Sequence, residues 1–435
     1  MMTLNEKDHE YVWHPYTYQK DRATAIPIVK GNGAVLYDDK GKEYLDATSS
    51  WWVNIHGHGN KFIAKKLYDQ AKKLEQVIFT AFTHEPAVLL AEQLLKILPG
   101  NFRKIFYSDN GSTATEVAIK MALQYQLNTG NERRTKIMAF RHSYHGDTFG
   151  AMSVSERGIF TLAFQDKLFE VIFIETPDEK NISELKSIVE KYHDEVACFI
   201  YEPLLQGAGG MRMYEATHLD ALLTIIKNEN IICIADEVLT GFYRTGKFFA
   251  GDYLQTKADI ICLSKGLTGG TMALGVTACT KKIYDAFVND DQTKTFFHGH
   301  SFTANPLACT AALASLELIQ NEKCTRRVDN IIVSNKRFLK KMKRYEKEGV
   351  VINLRQTGTV CAFDINTGDY DYLSNIAAMF TSYCLKDGVY LRSLGNTIYI
   401  LPPYCITKKQ LKKIYSVIEN FISEGIKRTQ RDVSI

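Results

Sequence analysis

No apolar run in the 435 residues approaches the roughly 20 that span a bilayer, so no membrane-crossing helix is expected. No two of the 9 cysteines stand at C-x-x-C spacing, and several lie within apolar runs. An odd, scattered set argues against a disulfide framework and reads as reduced core residues of a cytoplasmic protein. Charge of either sign is hardly in excess: 53 Lys and Arg against 49 Asp and Glu leave +4. That bias points to no nucleic acid and no membrane surface as partner. The basic run Lys340-Lys341-Met342-Lys343-Arg344 falls in a helix-like stretch and reads as a solvated face. The N-terminal MMTLNEKDHEYVWHPYT is polar and lacks the apolar stretch of a signal peptide. Internal repeats and low-complexity linkers are missing too. With 45% hydrophobic and 23% charged residues the chain has the composition of a folded protein, long enough for two or more domains.

The hydrophobic pattern predicts a small β unit first, with strands at Gly33–Tyr37 and Glu43–Leu45 around the turn Asp38-Asp39-Lys40-Gly41. Helices are predicted over Asn60–Gln76 and Ala87–Leu98. From about residue 103 short apolar strands alternate with amphipathic helices. The strands are Lys104–Tyr107, Lys136–Phe140, Phe169–Ile174, Ala197–Tyr201, Ile231–Ala235 and Ile260–Leu263; the helices include Thr115–Gln126, Ile182–His193 and His218–Asn228. This rhythm implies an α/β fold whose mostly parallel sheet is covered on both faces. Helices over Pro306–Gln320 and Thr325–Glu348 follow. A compact α+β unit with strands Val360–Ile365, Val389–Leu391 and Thr397–Ile400 closes the chain, its helices spanning Tyr372–Asp387 and Thr407–Gly425.

Two strand ends carry reactive groups. Lys265 follows Ile260-Ile261-Cys262-Leu263-Ser264, which puts an amine at the carboxyl end of a buried strand, where open α/β sheets bind ligands. Alone it reads first as a solvated lysine; partly desolvated, it would have a lowered pKa and attack an aldehyde. Asp236 caps Ile231–Ala235 in the same way. As a helix N-cap it is ordinary, but beside Lys265 it suits a pyridinium nitrogen. Between a strand and a helix, Asn110-Gly111-Ser112-Thr113 could bind phosphate, although it also reads as a plain cap. Ser143-Tyr144-His145-Gly146-Asp147 offers an aromatic that could stack on a ring. The pairs His56-Gly57-His58 and His298-Gly299-His300 have no Cys or carboxylate at ligand spacing beside them, so no metal site is expected.

The segment Asp236-Glu237-Val238-Leu239-Thr240-Gly241-Phe242-Tyr243-Arg244-Thr245-Gly246, followed by Leu263-Ser264-Lys265-Gly266 and Gly269-Gly270, resembles the signature of the class III aminotransferases. The resemblance runs from His14 to about Pro403. It implies fold type I of the transferases that use pyridoxal 5'-phosphate (PLP). Such a fold has a large domain with a mostly parallel central sheet and a smaller α+β domain from both termini. The expected division is 1–48 as the N-terminal part of the small domain, 49–320 as the large PLP-binding domain and 321–435 as the C-terminal small domain. Further segments resemble one branch of the family: His14-Pro15-Tyr16-Thr17, Ser49-Ser50-Trp51-Trp52, Tyr144–Val154, Gln206–Tyr214 and Leu401-Pro402-Pro403-Tyr404. That branch converts 8-amino-7-oxononanoate to 7,8-diaminononanoate in biotin biosynthesis, with S-adenosyl-L-methionine as amino donor.

The roles implied by this resemblance attach to numbered positions. Lys265 would hold the cofactor as a Schiff base and shuttle protons, and Asp236 would hold the pyridinium. Tyr144 and Val238 would sandwich the ring, while Gly111 and Ser112 bind the phosphate. In a homodimer with shared active sites, His300 and Ser301 would reach that phosphate from the other subunit. Arg392 would take the substrate carboxylate; Tyr16, Trp51, Trp52, Tyr144, Asp147 and Gly299 would line the substrate site, with Tyr16 counted among the catalytic groups. Leu239, Tyr243 and Ser301 stand where the family usually has Ala, Gly and Thr, and Tyr243 would narrow the pocket. Lysine as donor, an ω-aminotransferase of ornithine or GABA type, and a PLP-dependent aminomutase are the other readings this pattern leaves open.

Overall fold

The computed structural model describes residues 2–20, 22–366 and 375–432. Its centre is a seven-stranded sheet. In chain order the strands are Phe102–Ser108 (β1), Lys136–Phe140 (β2), Val171–Ile174 (β3), Val196–Tyr201 (β4), Ile232–Asp236 (β5), Ile260–Leu263 (β6) and Gly275–Thr280 (β7). Their spatial order is β1-β7-β6-β5-β4-β2-β3. β7 alone runs antiparallel to both of its neighbours; the remaining pairings are parallel. It follows that β1 points the same way as β6, so the carboxyl ends of six strands share one edge.

Burial on both faces explains the sequence pattern. Every residue of β4, β5 and β6 is buried, which is why these strands read as continuous apolar runs rather than alternating ones. Alternate side chains go to opposite faces. Ile232, Ile234, Ile260 and Cys262 pack with Ala114, Val117, Ala118 and Met121 of the helix Gly111–Asn128 (α1). Cys233, Ala235, Ile261 and Leu263 join the other core, with Leu219, Leu222, Leu223 and Ile226 of the helix Ala216–Asn228 (α2). These helix residues recur at three- and four-residue spacing, the stripe that a sheet-covering helix presents. Burying each such Leu or Ile is worth about 1.5–3 kcal/mol.

Three smaller sheets accompany this centre among the described residues, one of them the two-stranded pairing of Leu205–Gln206 with Arg212–Met213. Strands Ile28–Asn32, Val35–Asp38 and Glu43–Asp46 are joined by Val389–Tyr390, which lies parallel to Glu43–Asp46 with Leu45 opposite Val389. Chain segments more than three hundred residues apart are thus one sheet. The third is antiparallel, of Val351–Thr357, Val360–Ile365 and Thr397–Ile400.

Several elements differ from the periodicity reading. The start is a capped helix, Leu4–Tyr11, with reciprocal Thr3–Glu6 bonds, where an irregular segment is predicted. β7 and Val351–Thr357 escape the pattern: β7 mixes Gly and Thr with apolar residues, and Val351–Thr357 exposes polar ones. The long helix begins at Glu322, three residues before the expected Thr325, because Asn321 caps it. The start of the predicted helix Tyr372–Asp387 lies outside the described residues; Asn375–Lys386 is helical. All nine cysteines are free, eight of them buried.

Candidate active site

The shared edge of strand ends floors a cavity of about 1410 Å³, larger than the usual few hundred to 1,000 Å³ of a pocket for one small molecule. Lys265 stands just beyond β6 at a positive φ of 42°, which turns it off the strand direction into the cavity. Its Nζ lies 4.7 Å from the centre of the Trp52 ring. Burial lowers the amine's pKa, while the carboxylates of Asp236 and Glu202 act the other way.

Asp236 ends β5 on the neighbouring strand and is buried. One oxygen accepts the Val238 N–H at 3.0 Å; the other lies 2.7 Å from Nδ1 of the fully buried His145. Facing the carboxylate, Nδ1 carries the proton. Glu202, one residue past β4, uses its two oxygens to accept the Tyr144 N–H at 3.0 Å and the Gly207 N–H at 2.8 Å. Burial, with the nearby Asp236 charge adding to it, pushes its carboxyl up to about 7.

At the end of β1, Asn110 caps α1 through a bond to Thr113 N–H, and Gly111 and Ser112 form its first turn. The first N–H groups of a helix have no partner within it and favour an anion. A Cβ on Gly111 would meet Val238 Cγ1 at 2.8 Å, so only glycine leaves this cradle open. Ser112 Oγ accepts the Asp147 N–H at 3.1 Å.

Across the cavity Tyr16 donates to Asp147 Oδ2 at 2.6 Å, and its hydroxyl lies 3.5 Å from that of Tyr144. Burial raises the Tyr144 phenol's pKa, and its bond to Tyr16 does so further. Trp51 is 45% exposed and Trp52 4%. Both line the cavity even though they are adjacent. Trp51 packs edge-on against Tyr16, and the Arg392 guanidinium lies 5.3 Å from its ring centre.

The family model described as "Aminotransferase class-III" matches residues 16–422. The chain belongs to the class III aminotransferases. A protein of Synechococcus elongatus named adenosylmethionine-8-amino-7-oxononanoate aminotransferase is 43% identical to this aminotransferase over 96% of the chain and 99% of its own. The crystal structure of a Methanocaldococcus jannaschii protein with that name superposes with a TM-score of 0.92 at 36% identity, covering 97% of this chain and 98% of its own. A PLP-bound amine transaminase from an uncultivated Pseudomonas species superposes at 0.89 with 26% identity, over 95% and 98%.

As a class III aminotransferase this protein is an enzyme that uses PLP, and its side chains fit that cofactor. They provide a desolvated amine, a buried carboxylate with the Nδ1–H of an imidazole behind it and an open glycine cradle at a helix start. The cavity brings together Tyr16, Trp51, Trp52, Gly111, Ser112, Tyr144, Asp147, Asp236, Val238, Lys265 and Arg392. Gly299, His300 and Ser301 are not among the described residues that line it; His300 Nδ1 instead accepts the Phe302 N–H. Tyr243 does not narrow the cavity either. It sits at a positive φ of 70° and packs on Phe248, while Leu239 is the departure that reaches the lining.

His145 and Glu202 were not assigned from sequence. Glu202 carried the same signal as Asp236, an acid directly after a buried strand. His145 had none, because its partner is 91 residues away.

Proposed function

We propose that this aminotransferase moves the amino group of S-adenosyl-L-methionine to the ketone of 8-amino-7-oxononanoate, giving 7,8-diaminononanoate for biotin biosynthesis. The observation that carries this reading is the two-ended cavity. Lys265 and Asp236 stand at its floor, and an aromatic wall with one guanidinium, Arg392, faces them. The names of the relatives at 36–43% identity support it.

Bound at the floor, PLP supplies an aldehyde for the amine and a ring that accepts electrons from the carbon losing its proton. Lys265 and Asp236 would hold it there, with Gly111 and Ser112 at its phosphate and Tyr144 and Val238 on its two faces. The Lys265 Nζ takes the proton from the donor carbon that bears the nitrogen; burial favours the neutral amine this requires. Once protonated, Nζ is stabilised by Asp236 and Glu202. His145 fixes the orientation of the Asp236 carboxylate. Arg392 offers a forked donor to the carboxylate at the end of the oxononanoate chain. The ring faces of Trp51 and Trp52 attract the sulfonium of the donor by about 0.5–2 kcal/mol and give its apolar parts a dry surface.

A purified-enzyme assay with 8-amino-7-oxononanoate as acceptor tests the reading, each donor offered alone. Diaminononanoate is expected with S-adenosyl-L-methionine. Product with lysine alone overturns the donor, and no product with either overturns the acceptor.

The enzyme acts as a cytoplasmic homodimer in this reading, with 1–48 and 321–435 forming the small domain around 49–320. Supporting the dimer, Tyr11, Trp13, Tyr18, Phe297 and Phe302 leave most of their apolar surface in water, Trp13 85% of it. Two of these residues flank Gly299, His300 and Ser301, which would complete the neighbouring site. Sedimentation of the holoenzyme as a monomer would refute the dimer. For location, the described residues include no helix long and apolar enough to cross a membrane.

A further inference from the structure

The structure assigns a positioning role to His58 and Asp46. We propose that this pair holds the Trp51-Trp52 wall in the shape that binds substrate. The inference rests on the reading above that these tryptophans face the substrate.

It begins with backbone strain. Ser49, Ser50 and Trp52 have φ of 52°, 61° and 68°, and Ser50 combines this with a ψ of −100°. Side chains disfavour this region, and each such residue costs about 1–3 kcal/mol unless its surroundings impose it. The distortion has a use: neighbouring side chains on a regular helix diverge, whereas here Trp51 and Trp52 both line the cavity.

What imposes the turn is the carboxylate of Asp46, which is fully buried. Its Oδ1 accepts the Thr48 N–H at 3.1 Å, and its Oδ2 accepts the Ser50 N–H at 2.7 Å. Among the described residues the one basic side chain against it is His58, whose Nε2 lies 2.9 Å from the same Oδ2. Asn54 Nδ2 donates to His58 Nδ1 at 3.0 Å, so the proton facing Asp46 belongs to Nε2. His58 is placed from behind. Its backbone pairs with Gly33 in both directions, and a Cβ on Gly31 would collide with the His58 Cβ. Without that imidazole Oδ2 loses its side-chain donor, and the Thr48 N–H and hydroxyl, which hold only Oδ1 at 3.1 and 3.4 Å, let the carboxylate turn about that contact and loosen its hold on Ser50. The His56-Gly57-His58 motif thus serves geometry, with His56 bonded separately to Ser315 Oγ at 2.9 Å.

The test compares two conservative variants of the holoenzyme. His58→Gln keeps a donor where Nε2 stands; His58→Asn can satisfy only the Asn54 side. With His58→Asn we expect KM for 8-amino-7-oxononanoate to rise about tenfold, the loss of one charge-assisted bond, with kcat within about twofold. His58→Gln should stay near the wild-type KM. In a Trp13→Phe background, where emission comes from Trp51 and Trp52 alone, acrylamide should quench His58→Asn more strongly than His58→Gln. If His58→Asn does not fold, Asp46→Asn, which has one acceptor oxygen in place of two, takes its place beside His58→Gln with the same rise in KM and in quenching expected. Equal KM and equal quenching in the two variants overturn the proposal. Trp52→Ala separates the two levels. A raised KM there with both His58 variants at the wild-type value overturns the pair alone, whereas an unchanged KM overturns the substrate-wall reading and the proposal with it.

Discussion

The floor and the far wall of the cavity are built by different physics. The floor is the regular edge of a buried sheet: Glu202, Asp236 and Lys265 come one after another from adjacent strands whose register is set by continuous apolar pairing. No unusual sequence is needed beyond the right residue at each strand end. The far wall has no such lattice. Tyr16 comes from the N-terminal segment, Trp51 and Trp52 from a strained turn, and Arg392 from a C-terminal strand end more than three hundred residues away. Side-chain hydrogen bonds to backbone hold it: Asp46 to Ser50, and Ser49 Oγ to the Leu401 carbonyl at 2.8 Å. A sheet edge tolerates little variation and suits the chemical step. A wall of separate pieces can be retuned without disturbing the sheet and suits substrate choice.

This contrast is open to direct attack. Floor variants should lower kcat, and wall variants should raise KM. The largest effect is expected for Lys265→Ala, with the turnover rate down by about 10³-fold or more, since among the described residues no other lysine lines the cavity; a rate within tenfold of wild type in a single-turnover assay would break the comparison at its base. Asp236→Asn removes the buried charge proposed to pair with the cofactor's ring nitrogen and should cost about 10²-fold in kcat, while His145→Ala, acting through Asp236, should cost about tenfold. Stopped-flow rates of the half-reaction measure both, and equal losses would erase the distinction between holding and being held. Arg392→Ala should raise KM for the carboxylate substrate by about 10- to 100-fold with kcat little changed. A kcat loss of similar size would mean that the wall takes part in the chemistry.

The smallest effect concerns pH. Glu202 has a carboxyl near 7 in the folded chain against an ordinary 4.5, so between these values the folded state binds more protons than the unfolded one. Its contribution, on the order of 3 kcal/mol, is fully present below pH 4.5 and is lost as pH rises through 7. The Asp236 charge beside it adds to this rise, and the His145 ring opposes it. Glu202→Gln should therefore flatten the decline of Tm between pH 5 and 8 by a few degrees. An unchanged pH profile in scanning calorimetry would place that proton elsewhere.

The floor was legible because each of its parts leaves a local trace. An apolar run followed by an acid or a lysine needs only a few neighbouring residues to be recognised, and Asp236 and Lys265 were found in that way. β7 left a weaker trace, since Gly275 and Thr277 interrupt its apolar character. The wall was legible only through resemblance to a family. No periodicity in Ser49-Ser50-Trp51-Trp52 reports a turn with three positive φ values, and nothing near Asp46 or His145 names its partner. Tyr243 shows the reverse case: its position in the motif suggested the pocket, and a backbone turn sent it to Phe248.

By itself the sequence determined the strand–helix alternation, the burial of the central strands and the residue types at their carboxyl ends, because these depend on composition over a few neighbouring positions. The tertiary structure decided which strand ends stand side by side, that Asp46 meets His58 and Asp236 meets His145, and that two adjacent tryptophans line one cavity. Those outcomes depend on pairings between distant segments and on backbone angles that side-chain chemistry alone does not prefer, so they exist only once the whole chain has packed.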